Sequence, residues 1–401
     1  MSDTNLSRSV DEVATEATVP AERRTMLEIV DMTKVYPDGT VAVDDINFSI
    51  KEGDFCVLIG PSGCGKSTTL HSIVGKVPVT EGKIILDGTD ITNVPTYERD
   101  IGLVFQDFQL FPHLTVRENI SYGLRRMGVD GADQQERIEA VLEMMRIEAL
   151  QHRKPEELSA GQKQRVAVAR SLVLEPKLLL LDEPLGDMDY KLQKRMEREL
   201  LRIHHELDIT FVYVTHDQTQ AMRLGDQIVV MNDGKIEQSD TVDRVYNSPA
   251  TAFVSTFVGD SNIFTGEVVD VSTDGSRASV ETAFGTFLAS TENLRSAPED
   301  VVGERIPFSV RPQYLHLSDA LDNRIECTVR DVIQQPGSGT QIILEIEGED
   351  GALEELQLKS PELLDLSASS VVVGWDAEHT TLLETHSVVE GIDLETDILG
   401  E

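Results

Sequence analysis

The chain has 401 residues, 40% of them hydrophobic, which is enough for two or three domains with cores of their own. Its 71 acidic against 35 basic residues give a formal charge of −36, which argues against a sequence-independent grip on nucleic acid, since that needs basic surface. Apolar runs such as Leu178–Leu181 are only a few residues long and fall far short of the ~20 residues of a membrane helix, and the three scattered cysteines, Cys56, Cys64 and Cys327, frame neither a disulfide scaffold nor a zinc site and fit a reducing cytosol.

Residues 1–25 are polar and acidic, lack the apolar stretch of a secretory signal, and read as a disordered tail, and residues 391–401 read as an acidic tail. From residue 26 to about 252, apolar strands alternate with helical stretches, the pattern of an α/β domain. Strands are predicted at Phe55–Gly60, Lys83–Leu86, Ile101–Phe105, Leu178–Asp182, Phe211–His216 and Gln227–Met231. The last four are nearly continuous in apolar residues, as strands covered on both faces are. Helices are predicted after Gly65, through about Gln134–Leu150, after Gly161 and through Tyr190–Leu207. From Phe253 to about residue 390 the texture changes. Short alternating runs such as Ser309–Val310, Glu326–Val332 and Gln341–Ile346, broken by Gly, Pro and Asp, read as small all-β units.

Gly60-Pro61-Ser62-Gly63-Cys64-Gly65-Lys66-Ser67 matches G-x-x-x-x-G-K-[ST] between an apolar strand and a helix, the context a P-loop requires. Glycines let the backbone N–H groups of Ser62, Gly63, Cys64, Gly65 and Thr68 approach phosphates, and the helix N-terminus adds positive potential. Lys66 can reach the β- and γ-phosphates and the Ser67 hydroxyl can ligate Mg²⁺. The apolar strand Leu178–Leu181 ends in Asp182-Glu183, which puts two carboxylates at the ligand-binding edge of such a sheet. Asp182 would hold Mg²⁺ through water and Glu183 would act as general base on the attacking water. Two solvated acids at a strand end are the plain alternative in so acidic a chain.

Leu158-Ser159-Ala160-Gly161-Gln162, followed by Lys163-Gln164-Arg165-Val166, resembles the signature of ABC ATPases, which P-loop kinases and GTPases lack. Ser159 and Gly161 at a helix start offer a second phosphate-binding N-terminus, with Ser159 as cap. The resemblance implies an α/β P-loop NTPase cassette with a helical subdomain at about residues 107–170, followed by a β-rich OB-like regulatory domain over residues 253–390. It also implies ATP and Mg²⁺ as ligands and further site residues. Tyr36 is similar to the aromatic that stacks on adenine, and Gln106 to the glutamine that senses Mg²⁺ and the attacking water. His216 is similar to the histidine at the γ-phosphate, and Asp189 to the aspartate that reports across a dimer, with Ser159, Gly161 and Gln162 supplied to the partner's nucleotide. Two positions depart from the family pattern: Ala160 stands where a second glycine is common, and Gly186 where a serine is common.

Phe105-Gln106-Asp107-Phe108-Gln109-Leu110-Phe111-Pro112-His113-Leu114-Thr115, Phe253-Val254 with Phe257–Asn262, and Val310-Arg311-Pro312-Gln313 resemble importer ATPases with large regulatory C-termini, the maltose-type, polyamine and ferric-iron group. The closing Val373-Gly374-Trp375-Asp376 and Leu382-Leu383 are closer to polyamine or ferric-iron relatives than to sugar ones. The implied partners are a second copy in a homodimer, integral membrane permease subunits and, indirectly, an extracellular substrate-binding protein, with the chain peripheral on the cytoplasmic face of the membrane. Phe108, Leu110 and Phe111 either dock permease helices or pack within the cassette. A sugar importer is the alternative substrate class, and a non-transport ABC ATPase the alternative function, which the single P-loop and the absence of heptads or CxxC disfavour. The acidic residues are spread along the whole chain, which points to a halophilic, molar-salt cytosol rather than a local patch for a basic partner.

Overall fold

The computed structural model describes residues 23–383 except 187, 188, 208, 293, 295, 296, 336, 349, 350, 352, 365 and 367. The tails expected at 1–25 and 391–401 fall outside the described residues, save for residues 23–25. In chain order come β1 (Thr25–Val35), β2 (Val41–Lys51), β3 (Phe55–Ile59), α1 (Lys66–Ile73), β4 (Glu81–Leu86), β5 (Thr89–Asp90) and β6 (Ile101–Val104). The helices α2 (Val116–Arg126), α3 (Gly131–Met144) and α4 (Ala160–Leu172) follow. Then come β7 (Leu178–Asp182), α5 (Tyr190–Leu207), β8 (Thr210–Val214), α6 (Gln218–Leu224), β9 (Gln227–Asn232), β10 (Lys235–Thr241), α7 (Val242–Asn247) and α8 (Ala252–Phe257).

The central sheet runs β10-β9-β3-β8-β7-β6, with β10 antiparallel at one edge and the other strands parallel. Strand β3 is buried throughout because its alternate side chains enter two different cores. Phe55, Val57 and Ile59 pack with α2–α6, whereas Cys56 and Leu58 pack with α1 and a second, antiparallel sheet of order β2-β1-β4-β5. Lys83–Leu86, expected as a strand, lies in that antiparallel sheet, and three features differ from the sequence expectation. Ile101–Val104 forms the sheet edge, so its burial alternates instead of being complete. Helix α3 stops at Met144, and Glu148–Leu150 is a separate 3₁₀ turn. Helix α2 was not foreseen, although Thr115-x-x-Glu118 carries its start signal: the Thr115 N–H donates to Glu118 Oε2 (2.8 Å) and the Glu118 N–H to Thr115 Oγ1 (3.3 Å).

Beyond α8, β11 (Asn262–Val271), β12 (Arg277–Thr282), β13 (Gly285–Ser290) and β14 (Arg305–Val310) are followed by β15 (Asn323–Gln335) and β16 (Gly339–Glu347). The last strands are β17 (Leu353–Ser360), β18 (Ser370–Trp375) and β19 (Thr380–Leu382). Five of them close a barrel, β11-β12-β13-β19-β14, and the rest form the sheet β17-β16-β15-β18. A five-stranded closed barrel is the OB-like architecture that the sequence led us to expect. Phe264, Phe287 and Phe308 are buried in one core with Trp375 of β18, which packs on Phe264 and Phe287, and the Trp375 indole N–H donates to Thr380 Oγ1 at 2.8 Å. Among the described residues no helix is long and apolar enough to cross a membrane.

Candidate active site

The loop between β3 and α1 is shaped by glycines that nothing larger could replace. A Cβ on Gly60 (φ 155°) would lie 2.2 Å from Met231 O, and one on Gly65 (φ 104°) 2.5 Å from Ala42 O. Gly63, at φ 86°, has open space around it and is needed for its left-handed backbone alone. Lys66 folds back over this loop. Its ammonium donates to Gly60 O (2.7 Å) and Pro61 O (2.8 Å) and sits 3.7 Å from Cys64 Sγ. Burial raises the Cys64 thiol above its ordinary value, with the Lys66 charge acting in the opposite direction. Ser62, Gly63, Gly65, Lys66, Ser67, Thr68 and Glu183 line one cavity of about 250 Å³. Tyr36, in the turn between β1 and β2, reaches the same helix start, with its hydroxyl 3.4 Å from Thr68 Oγ1 and the Lys34 ammonium 5.2 Å over its ring.

Strand β7 delivers the two carboxylates. Asp182 ends the strand, and Glu183 follows in the left-handed region at φ 43°, its N–H donating to Val214 O at 3.1 Å. A non-glycine residue held there is strained, and such strain collects at functional sites. Glu183 Oε2 lies 3.2 Å from Nδ1 of His216, which sits just past β8 with its side chain 64% exposed. Gln106, two residues past β6, and Glu183 both border Gly186: a Cβ on Gly186 would sit 3.6 Å from Gln106 Nε2 and 3.8 Å from Glu183 Oε2. The serine common in the family at this position would therefore fit, and would touch both groups. The sequence reading missed His71. It lies on α1 four residues after Ser67, hence on the same helix face, and its Nε2 is 3.5 Å from Asp182 Oδ2. Burial pushes the Asp182 carboxyl up and the His71 imidazole down.

The signature segment lies elsewhere on the chain. Ser159 is the N-cap of α4, exposed, and its N–H donates to Gln162 Oε1 at 2.9 Å. Gly161 is buried against α5, where a Cβ would come 3.1 Å from Leu192 Cδ1. Neither residue lines the cavity around Lys66. Asp189 caps α5, its Oδ1 accepting from the N–H groups of Lys191 and Leu192 at 3.1 Å each. Phe108 and Leu110 pack, partly buried, against the core beneath α2–α6, while the Phe111 ring lies 4.6 Å from that of Tyr122, tilted by 43°.

Residues 43–186 match the ABC transporter family model. The spermidine/putrescine import ATP-binding protein PotA of Rubrobacter xylanophilus is 42% identical over 362 residues, covering 90% of this chain and 94% of the relative. The protein of the same description from Thermobifida fusca is 39% identical over 92% of this chain and 96% of its own length. That from Shigella dysenteriae is 38% identical over 83% and 87%. Among solved structures, cbiO1 of Clostridium perfringens, part of the ABC transporter complex cbiONQ, superposes with a TM-score of 0.52 at 32% identity, covering 55% of this chain and 90% of that one. With a P-loop, a carboxylate pair and a signature helix on one cassette, and with relatives matched along nearly their whole length, the chain belongs to the ABC transporter family as an ATP-binding, ATP-hydrolysing subunit.

Proposed function

We propose that this chain powers uptake of polyamines of the spermidine/putrescine class, as a pair of cassettes bound to membrane permease subunits at the cytoplasmic face. The observation that carries the substrate is the match to relatives described as spermidine/putrescine import proteins, which takes in 90% of this chain and so extends into its β-rich C-terminal region. An extracellular binding protein would hand substrate to the permeases and meet this chain only through them.

The residues around the cavity suit a nucleotide and Mg²⁺. Lys66 gives up two neutral carbonyls, Gly60 O and Pro61 O, for phosphate oxygens, a stronger charge-assisted contact. The Ser67 hydroxyl, the Asp182 carboxylate and the Gln106 amide are hard oxygen donors of the kind Mg²⁺ takes beside substrate phosphates and water. When bound, the ion neutralises charge on the β- and γ-phosphates. Glu183 accepts a proton from the attacking water, and His216, 3.2 Å from its carboxylate, orients it toward the γ-phosphate. Tyr36 stacks on adenine. Ser159, Gly161 and Gln162 close over the nucleotide of the second copy, which two-fold symmetry makes reciprocal, and Asp189 lies at that junction.

The test is uptake of labelled putrescine by cells lacking this chain and complemented with wild type or Glu183→Gln. Only the wild type should restore uptake. Cells without the chain that keep full polyamine uptake but lose ferric-iron or sugar uptake would overturn the substrate assignment. Light scattering of Glu183→Gln should report dimers only with ATP; monomers at saturating ATP would remove the paired-cassette arrangement for the free chain.

A further inference from the structure

Consecutive side chains of α4 grip the backbone on both sides of Gln106. Ser171, almost fully buried, donates its hydroxyl to Leu103 O in β6 at 3.1 Å. Arg170 donates to Gln109 O at 2.7 Å and to Phe108 O at 3.1 Å. The two residues whose carbonyls Arg170 holds are both left-handed without being glycine, Phe108 at φ 60° and Gln109 at φ 41°. Such a backbone persists only where its surroundings over-determine it, and the guanidinium is well placed to do so: it is desolvated enough for burial to lower its pKa, and it lies 5.5 Å over the Phe111 ring. A second brace continues the path. Asn119, fully buried on α2, accepts from the Phe111 N–H (2.8 Å) and donates to Phe111 O and Leu114 O.

We propose that Arg170 and Ser171 are positioning residues that set the Gln106 amide opposite Glu183. The inference rests on the reading of Gln106 as a group acting at the metal and attacking water. Arginine suits the task because its planar fork bridges two adjacent carbonyls, which a lysine ammonium does less well.

The test is steady-state ATPase of the full chain, with ATP binding titrated separately, for Arg170→Gln, Arg170→Lys, Ser171→Ala, Gln106→Ala and the double variant Gln106→Ala with Arg170→Gln. Misplacement of a catalytic group by about an ångström costs up to roughly 100-fold. Arg170→Gln should accordingly lower kcat by roughly 10- to 100-fold with KM and ATP affinity within about twofold of wild type, and Arg170→Lys should recover part of the loss. The double variant should lose no more than Gln106→Ala alone, because both changes remove the same function. If Arg170→Gln does not fold, Ser171→Ala, which removes one hydroxyl, carries the same comparison. Wild-type kcat in the Arg170 and Ser171 variants overturns the proposal, as does a double variant whose loss is the product of the two single losses. Wild-type kcat in Gln106→Ala would instead sink the role assigned to Gln106, and the clamp's catalytic consequence with it.

Discussion

At the scale of single residues, Glu183 combines the base role proposed for it with a backbone that disfavours its side chain. A left-handed non-glycine residue costs about 1–3 kcal/mol, and the contact to His216 returns little of that because the histidine is mostly exposed. Two substitutions separate the roles. Glu183→Gln should keep the fold and ATP binding while turnover falls by ~10²–10⁴, the usual worth of a positioned base. Glu183→Gly should lose turnover equally and yet melt no lower than wild type, since glycine accepts φ 43° freely. A clear drop in melting temperature for the glycine variant would show that the Glu183 side chain holds the loop rather than straining it. The cysteines illustrate the opposite case of inert placement. Burial pushes Cys327 up to about 12 and Cys56 further still, so neither is an activated thiol.

At the scale of elements, the site stands on helices and strands whose ends are fixed locally. Helix α2 starts at a reciprocal Thr115–Glu118 box, with hydrogen bonds to Glu118 also holding its carboxyl below the usual range. Thr115→Ala should cost about 1 kcal/mol of stability, read as a lower denaturant midpoint with unchanged slope. Because the same helix braces the Phe111–Thr115 segment through Asn119, a loss confined to stability would show that α2 supports the Gln106 loop without tuning it. The sign of the pH effect follows from the folded carboxyl being depressed. The contribution of Glu118 is present above its unfolded pKa and is lost as pH falls through its lower folded value.

At the scale of the whole molecule, two features extend beyond the cassette. Arg311, just past β14, is buried, and its hydrogen bonds among the described residues go to backbone carbonyls. Its guanidinium donates to Tyr246 O, Ser255 O, Gly259 O and Asp260 O and lies 4.4 Å over the Tyr246 ring. With the Tyr314 hydroxyl, which donates to Asn247 Oδ1 at 3.0 Å, this side chain ties the barrel to α7 and α8. Arg311→Ala leaves those carbonyls unsatisfied and should split a single calorimetric transition into two, the lower belonging to the loosened part; one sharp transition at the wild-type temperature would assign the tie to other contacts. The charge of −36 acts over the entire surface. Raising KCl from ~0.1 M to above ~1 M shrinks the Debye length to ~3 Å and should raise the melting temperature as self-repulsion is screened. A flat or falling curve would remove the halophilic reading.

Contiguous motifs and the change of texture near Phe253 were legible in the sequence because each rests on a local rule. A P-loop is a strand, a glycine turn and a helix start within one short segment, and Ser159–Gln162 and Asp182-Glu183 likewise state their elements in adjacent residues. Alternation of apolar residues likewise marked the β-rich C-terminal part before its barrel was known. The antiparallel sheet that covers the other face of β3 was not legible, because a strand's period does not say which partner it will pair with. Nor was the edge position of β6, which depends on its order in the sheet rather than on its composition. The arrangement of the site came only from tertiary structure: His71 facing Asp182, Gln106 and Glu183 both bordering Gly186, and Arg170 with Ser171 holding Leu103, Phe108 and Gln109. Residues separated by dozens of positions become neighbours through strand order and helix packing, and no local pattern records that distance.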